Sequence, residues 1–167
     1  AGPDSSGESV TITAKDILSL ADNDKAMCPS PSPGRLLADI TAEHTTATLT
    51  PAGIGNAQYP ANGWATIGSE IVQFSRVNNV LTLVRGRSGT EAAQHSANDT
   101  VQVAFRVDRV RADTVIRNLL VNFGNVPSSY INFPEWQAEF NRWGSKMFLS
   151  ATICKPNSVT KLLSEIN

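Results

Sequence analysis

The stretch that constrains the fold most runs from Trp64 to Phe105, where two apolar-rich segments flank an Asn78-Asn79 pair. Side chains of successive strand residues point to opposite faces, so alternating apolar residues can line one face. Asparagine tolerates the left-handed conformation that a tight hairpin needs. The pattern therefore predicts an antiparallel hairpin, with one face formed by Val72, Phe74, Leu81 and Leu83.

An RGRSGT corner follows this hairpin. Gly86 and Gly89 bracket the corner, which indicates backbone with positive φ. Thr90 is a candidate N-cap for a short helical turn over the residues EAAQH, and a closing strand then ends at Phe105. We expect this region to form one small β unit.

The rest of the chain divides into segments with different periodicity. Residues 1–9 are small and polar and are expected to be flexible, and residues 10–44 are expected to form a strand at Val10–Ala14, a short helix over KDILSLAD and a Pro-rich arm. Thr45 to Thr50 favours a strand, and IGNAQYPANG is expected to be a loop. Residues 45–107 then make up a small β module.

After Phe105 the apolar period changes from two to about 3.6 residues. Residues 108–167 are therefore expected to form a helical subdomain that continues beyond the chain end, with a short strand at Met147–Ile153 and Asn157 or Ser158 as the cap of the last helix. The fold class that follows is α+β. A small antiparallel, barrel-like or sheet unit at about 45–105 precedes a helical segment at about 108–167.

Composition excludes several functions. Fourteen basic and fifteen acidic side chains leave a net charge of −1, which disfavours nucleic-acid binding. No apolar run is long enough for a membrane span. Cys28 and Cys154 lie far apart and have no metal-ligand spacing, so two free thiols are preferred over a disulfide. No metal and no cofactor is predicted.

The candidate catalytic residues are few. His95 follows Glu91 by four residues, so on a helix Glu91 could orient the imidazole, although a capping or packing role for His95 is preferred. His44 is expected at the surface. Glu135 and Glu139 lie one helical turn apart, which is more typical of a solvated face than of a catalytic pair. The chain is therefore not predicted to be an enzyme.

Aromatic and basic residues suggest contacts with a partner. Tryptophan is favoured at protein interfaces, although packing of its helix face on the core is the preferred alternative. Arginines near the first helix could pair with an acidic neighbour, although exposed rim charges are preferred. The candidates for partner contact are Trp136, Trp143, Arg109 and Arg111.

Several segments, in this order, resemble the hub, or tail-tip, proteins of long-tailed bacteriophages: TAKDILSLADNDKAMCP, IGSEIVQF, LTLVRGRSGTEAAQHSANDTVQ, VIRNLLVNFGNVPSSYINFPEW and KPNSVTKLLSEI. The resemblance covers nearly the whole chain from about Val10. The residues that mark the family are Gly68, Glu70, Arg85, Gly86, Gly89, Thr90 and His95.

This resemblance implies a structural protein of the virion, synthesised in the cytoplasm of the host bacterium and built into the phage tail. It implies a homotrimer in the full-length protein and contacts with other tail and baseplate proteins. The chain is expected to be an internal piece of such a hub. The alternative is a carbohydrate- or receptor-binding module at the tail tip, and a cell-wall hydrolase using Glu91 or Glu139 is the least favoured hypothesis.

Overall fold

A computed structural model describes Ala21 and residues 25–166 of the chain. The strand expected at Val10–Ala14 lies outside the described residues, as does the helix expected over 15–22 apart from Ala21. Within the described part, the fold is α+β, as the sequence predicts. A curled seven-stranded antiparallel sheet is accompanied by a two-stranded sheet and four α-helices.

The elements have the following bounds. The strands are β1 Met27–Cys28, β2 Arg35–Leu36, β3 Thr46–Thr50, β4 Asn62–Ile67, β5 Glu70–Val77, β6 Val80–Val84, β7 Val101–Arg111, β8 Phe148–Ile153 and β9 Asn157–Ser158. The helices are α1 Ile54–Gln58, α2 Ala112–Asn118, α3 Phe133–Trp143 and α4 Val159–Ile166, with a π-helical turn at Leu119–Phe123 and a 3-10 turn at Ser128–Tyr130. The large sheet has the order β2-β3-β6-β5-β4-β7-β8, and β1 pairs with β9.

The large sheet curls until its first strand meets the start of β7. The Leu36 N–H donates to the Asp99 carbonyl at 2.9 Å, and the Val101 N–H donates to the Gly34 carbonyl at 3.0 Å. This closure gives the barrel-like unit that the sequence predicts, and alternate strand residues fill its interior. The core residues are Leu36, Ile40, Ala47, Leu49, Tyr59, Ala65, Ile67, Val72, Phe74, Leu81, Leu83 and Val101.

The hairpin at Asn78-Asn79 is confirmed. Asn78 has φ of 54°, and β5 pairs with β6 in the register Val77↔Val80. The side chain of Asn79 donates to the carbonyls of Leu49 and Pro51, each at 2.9 Å, so the turn is also tied to the end of β3.

The prediction of a loop over IGNAQYPANG is wrong for the first half of this segment, because α1 lies at Ile54–Gln58. Helix α1 sits beside the Asn78-Asn79 turn. The Asn79 Oδ1 accepts a hydrogen bond from the Gly55 N–H at 3.0 Å, which satisfies a donor in the first turn of the helix. A five-residue helix is marginal by itself, so this tertiary contact, rather than local propensity, accounts for it.

The short helical turn expected over EAAQH is also wrong, because residues 91–94 form no helix and His95 lies in an isolated β-bridge. Tertiary partners occupy the backbone groups that a helix would use. The His95 N–H donates to the Ile40 carbonyl at 2.9 Å and the Ile40 N–H donates to the His95 carbonyl at the same distance. These bonds form an isolated bridge between the two residues.

Strand β7 extends past the expected end at Phe105 and continues to Arg111. Its first half belongs to the barrel-like unit, and its second half pairs with β8 across an irregularity between Val107 and Val110. Arg109 lies in this irregularity, with φ of 50°. The expected boundary near residue 107 therefore falls inside a continuous strand that joins the two parts of the fold.

The second part of the fold has its own core, packed between β7, β8 and the helices. Its buried members include Val107, Val115, Leu119, Val159 and Leu162. Strand β8 confirms the strand expected at Met147–Ile153, so this part is mixed rather than purely helical. The hydroxyl of Ser158 accepts a hydrogen bond from the Lys161 N–H at 3.3 Å, which confirms Ser158 as a cap of α4.

The contact between α1 and the hairpin turn predicts a difference between two glycines. A Cβ at Gly55 would overlap the Asn78 carbonyl oxygen, whereas a Cβ at Gly53 would meet nothing within 4 Å. Gly53 has φ of +82°, so alanine there should cost about 1 kcal/mol of left-handed strain. We expect Gly55→Ala to cost about 3 kcal/mol from the overlap.

Urea unfolding of both variants, followed by circular dichroism, measures this difference. Equal destabilisation by Gly53→Ala and Gly55→Ala would contradict the close packing of α1 on the turn.

Candidate functional site

The carboxylate of Glu70 is the centre of a polar cluster that it forms with Arg85, Gly86 and His95. It lies at the start of β5 and is 1% exposed. Oε1 accepts hydrogen bonds from Arg85 Nε at 2.8 Å and the Gly86 N–H at 2.9 Å. Oε2 accepts from Arg85 Nη2 at 2.7 Å, His95 Nε2 at 2.8 Å and the Ala93 N–H at 3.1 Å. Five donors therefore converge on one buried anion.

Arg85, the partner of Glu70, uses all of its donors inside the protein. Its side chain is 7% exposed. Nη1 donates to the carbonyls of Thr41 and His44 at 2.8 and 2.9 Å, and Nη2 donates to the Ala93 carbonyl at 2.6 Å in addition to Glu70. Because a guanidinium has five N–H groups, these contacts satisfy it completely.

His95 is buried at 7% exposure, and Glu70 orients its ring instead of Glu91. An ionised carboxylate has no proton to donate, so the hydrogen bond to Glu70 assigns the proton to Nε2 of the ring. The Nδ1 atom lies 3.9 Å from Asp99 Oδ2, which is too long for a hydrogen bond. The packing role expected for His95 is confirmed, and the helical pairing with Glu91 is wrong. Glu91 is exposed in a segment without regular secondary structure.

The corner that carries Gly86 and Thr90 wraps around the ion pair. Gly86 has φ of +58°, and a Cβ there would lie 3.0 Å from the Ala92 nitrogen, so the position requires glycine. Thr90 caps no helix. Its Oγ1 accepts from the Ile71 N–H at 3.0 Å and donates to the Arg87 carbonyl at 2.7 Å. The remaining markers, Gly68 and Gly89, have φ of +58° and +81° in adjoining turns.

The electrostatics of the cluster follow from these contacts. Burial raises the pKa of Glu70, but the hydrogen bonds from Arg85, His95 and the backbone N–H groups of Gly86 and Ala93 outweigh it and lower the pKa to about 2. A general acid or base must exchange a proton near the working pH and must reach the substrate. Glu70 is ionised, enclosed and fully hydrogen-bonded, so the cluster is suited to holding chain segments together.

The seven marker residues are thus brought into one region, but sequence spacing could not pair them. Glu70, Arg85 and His95 are separated by 15 and 10 residues and lie on three different segments, so no helical or strand periodicity connects them. The available signal was chemical. A glutamate that shares the inward face of a strand with Val72 and Phe74 needs a buried cationic partner.

The four candidates for partner contact have different environments. Trp143 is 87% exposed and Arg109 is exposed, whereas Trp136 packs partly buried against the second core. Arg111 is engaged within the chain. Its Nη2 donates to Asp113 Oδ2 at 2.7 Å, and its guanidinium lies 5.2 Å from the centre of the Phe140 ring.

A cleft of about 510 Å³ lies where the two parts of the fold meet. Cys154, Lys155 and Asp99 are among its lining residues. Burial raises the pKa of the Cys154 thiol, which disfavours the reactive thiolate, and burial raises the pKa of the Cys28 thiol to about 12. Both cysteines are free. Among residues 25–166 and Ala21, no three His, Cys, Asp or Glu side chains are placed to hold a metal ion.

The chain is thus an α+β protein with a curled antiparallel sheet. The buried ion pair of Glu70 and Arg85 connects separate segments at one end of that sheet. Comparison of the chain with protein-family models, curated proteins and solved structures gave no match. None of the helices in the described part of the chain is long and apolar enough to cross a membrane.

Removal of the Glu70 charge should destabilise the fold strongly. We expect Glu70→Gln to lower the free energy of unfolding by about 3 to 5 kcal/mol, because it leaves the Arg85 guanidinium buried without its counter-ion. Glu91→Gln is the matched control and should change stability by less than about 0.5 kcal/mol, since Glu91 is exposed. Chemical unfolding of both variants measures the difference. Similar free energies of unfolding for the two variants would contradict the structural role of the cluster.

The low pKa of Glu70 also predicts a dependence of stability on pH. The folded pKa of about 2 lies below the ordinary value of 4.5, so the contribution is complete above about pH 5 and is lost as the pH falls towards 2. It amounts to about 3 kcal/mol. The free energy of unfolding, measured from pH 7 to pH 2, should fall less for Glu70→Gln than for the wild type. Parallel curves would contradict the assigned pKa.

Proposed function

We propose that this chain is a structural component of a phage tail tip or baseplate hub. It assembles with identical copies, as a homotrimer in the full-length protein, and with other tail proteins, and it has no catalytic activity of its own. In this proposal the protein resides in the virion after synthesis in the cytoplasm of the host bacterium. The sequence resemblance motivates the assignment, and the distribution of polar and apolar side chains supports it.

The main support for the proposal is the location of the polar and the apolar side chains. Three of the marker residues, Glu70, Arg85 and His95, have enclosed side chains, and every donor of Arg85 and both oxygens of Glu70 are occupied. Large apolar side chains, by contrast, are left at the surface. A fully hydrogen-bonded polar cluster stabilises the fold, and exposed apolar side chains can contact another protein. Both features suit a protein that acts by association.

One such surface lies at the tip of the β5–β6 hairpin, and we call it the hairpin patch. It consists of Leu37, Val77 and Val80, which are 59%, 75% and 45% exposed. The Leu37 N–H donates to the Thr48 carbonyl, and Thr48 pairs with Val80, so Leu37 and Val80 are neighbours through Thr48. In the proposed role, this patch contacts a neighbouring tail protein.

The carbohydrate-binding alternative has less support. A sugar platform needs an open aromatic face, but the guanidinium of Arg106 lies 4.5 Å from the centre of the Trp64 ring. Trp136 packs edge-to-face on Phe133, with ring centres 6.1 Å apart. Trp143 is left as the one widely exposed ring of the three tryptophans.

The hydrolase alternative has the least support. Glu139 forms an exposed ion pair with Arg142 at 3.2 Å, and Glu91 lies at the surface. Neither carboxylate is enclosed in a way that would tune it for acid catalysis. Peptidoglycan hydrolysis by the wild type that is lost in Glu91→Gln or Glu139→Gln would favour this alternative over the structural role.

The structural role predicts that the hairpin patch is needed for incorporation into particles. We expect Val77→Asp in the phage-encoded protein to reduce its amount in purified tails at least tenfold, because a charge at a buried apolar contact must be desolvated. Ser75→Asp is the control, since Ser75 is exposed on the same strand and outside the patch.

Quantitative mass spectrometry of purified particles measures incorporation, and gold-labelled antibody locates the protein. The proposal expects labelling at the tail tip with three copies per tail. Full infectivity of particles that lack the protein would overturn it.

A further inference from the structure

Strand β8 is an open edge of the large sheet. The strand order ends at β8, which pairs with β7 on one side and has no strand on its other side within residues 25–166. An edge of this kind presents unpaired backbone N–H and C=O groups that can accept a further strand. The opposite end of the sheet differs, because the short strand β2 is closed against residues 98–101.

The sequence of β8 lacks the usual protection of such an edge. Natural edge strands carry charged residues, proline or a bulge of their own, which discourage pairing with another chain. The six residues of β8 read FLSATI and include no charge and no proline. The irregularity opposite β8 lies in β7, where two residues oppose Ser150 and Arg109 has positive φ, so β8 itself contributes no extra residue.

Exposed apolar side chains adjoin this edge, and we call them the β8 patch. Trp143, Met147 and Phe148 are 87%, 43% and 51% exposed. A turn joins them, in which the Met147 N–H donates to the Gly144 carbonyl at 2.9 Å. Together they expose on the order of 400 Å² of mostly apolar surface. That is roughly half of what one partner contributes to a stable interface, and pairing of a six-residue strand would supply much of the rest.

We propose that a second copy of this chain pairs antiparallel with β8 through its own β8, about a twofold axis near Ser150 and Ala151. The strand is uncharged, so the two copies meet without repulsion at their centre. A twofold contact is self-complementary, so one surface suffices for both partners. Each Phe148 then lies near the far end of the other copy's β8. This contact is separate from the proposed threefold assembly and does not rest on it.

The lysines that flank β8 add a second expectation. Lys146 precedes the strand and Lys155 follows it, and both are exposed. Antiparallel pairing brings Lys146 of one copy towards Lys155 of the other, where like charges repel. Added salt screens such exposed charges, so the dimer should become tighter as the salt concentration rises.

The mass of the purified chain in solution, measured by light scattering, tests the proposal. We expect the wild type to be a dimer and Phe148→Lys to weaken the dimer at least tenfold, because the added lysine repels the flanking charges and removes apolar contact. Val77→Lys is the matched control. It places the same charge on an exposed valine of the hairpin patch and should leave the dimer unchanged.

Cross-linking supplies an independent measurement that does not require loss of the dimer. In a Cys154→Ser background, Ala151→Cys should be joined to its counterpart by a short bismaleimide, whereas Val77→Cys should not. A monomeric wild type, as expected if residues 1–20 of its own chain or a different protein covers β8, would overturn the proposal. A dimer that Phe148→Lys leaves intact and that does not cross-link through residue 151 would also overturn it.

Discussion

The ion pair between Glu70 and Arg85 is the constraint on which the rest of the structure depends. Burial of two charges is costly, and it is tolerated here because every donor and acceptor has a partner. Those partners come from separate parts of the chain: residues 41–44, the start of β5, the end of β6 with Gly86, and the segment 93–95. The ion pair therefore holds the segments at 41–44 and 93–95 against one end of the sheet. Hydrophobic contacts alone would not fix the positions of these segments as closely.

The same constraint shapes how the two parts of the fold are joined. With the corner fixed, the chain turns into β7, whose first half completes the barrel-like unit and whose second half carries β8 and the second core. A single continuous strand makes this connection more rigid than a loop would. This arrangement also leaves an open edge, because β7 adds β8 to the sheet and β8 is the last strand in the sheet order.

Much of the fold could be predicted from the sequence, but the site could only be predicted in part. The Asn78-Asn79 hairpin, the β8 strand and the cap at Ser158 follow from local patterns, and the structure confirms them. Helix α1 and the non-helical conformation of residues 91–95 were missed because tertiary hydrogen bonds override their local preferences. The pairing of Glu70 with Arg85 and His95 spans three segments, and local periodicity carries no information about such contacts.

Glu70 and Arg85 act as one structural unit rather than as two independent polar residues. A double-mutant cycle of Glu70→Gln and Arg85→Met, read out by chemical unfolding, tests it most directly. We expect the double variant to lose less stability than the sum of the single variants, with a coupling energy on the order of 2 kcal/mol. Additive effects, with no coupling between the two sites, would contradict it.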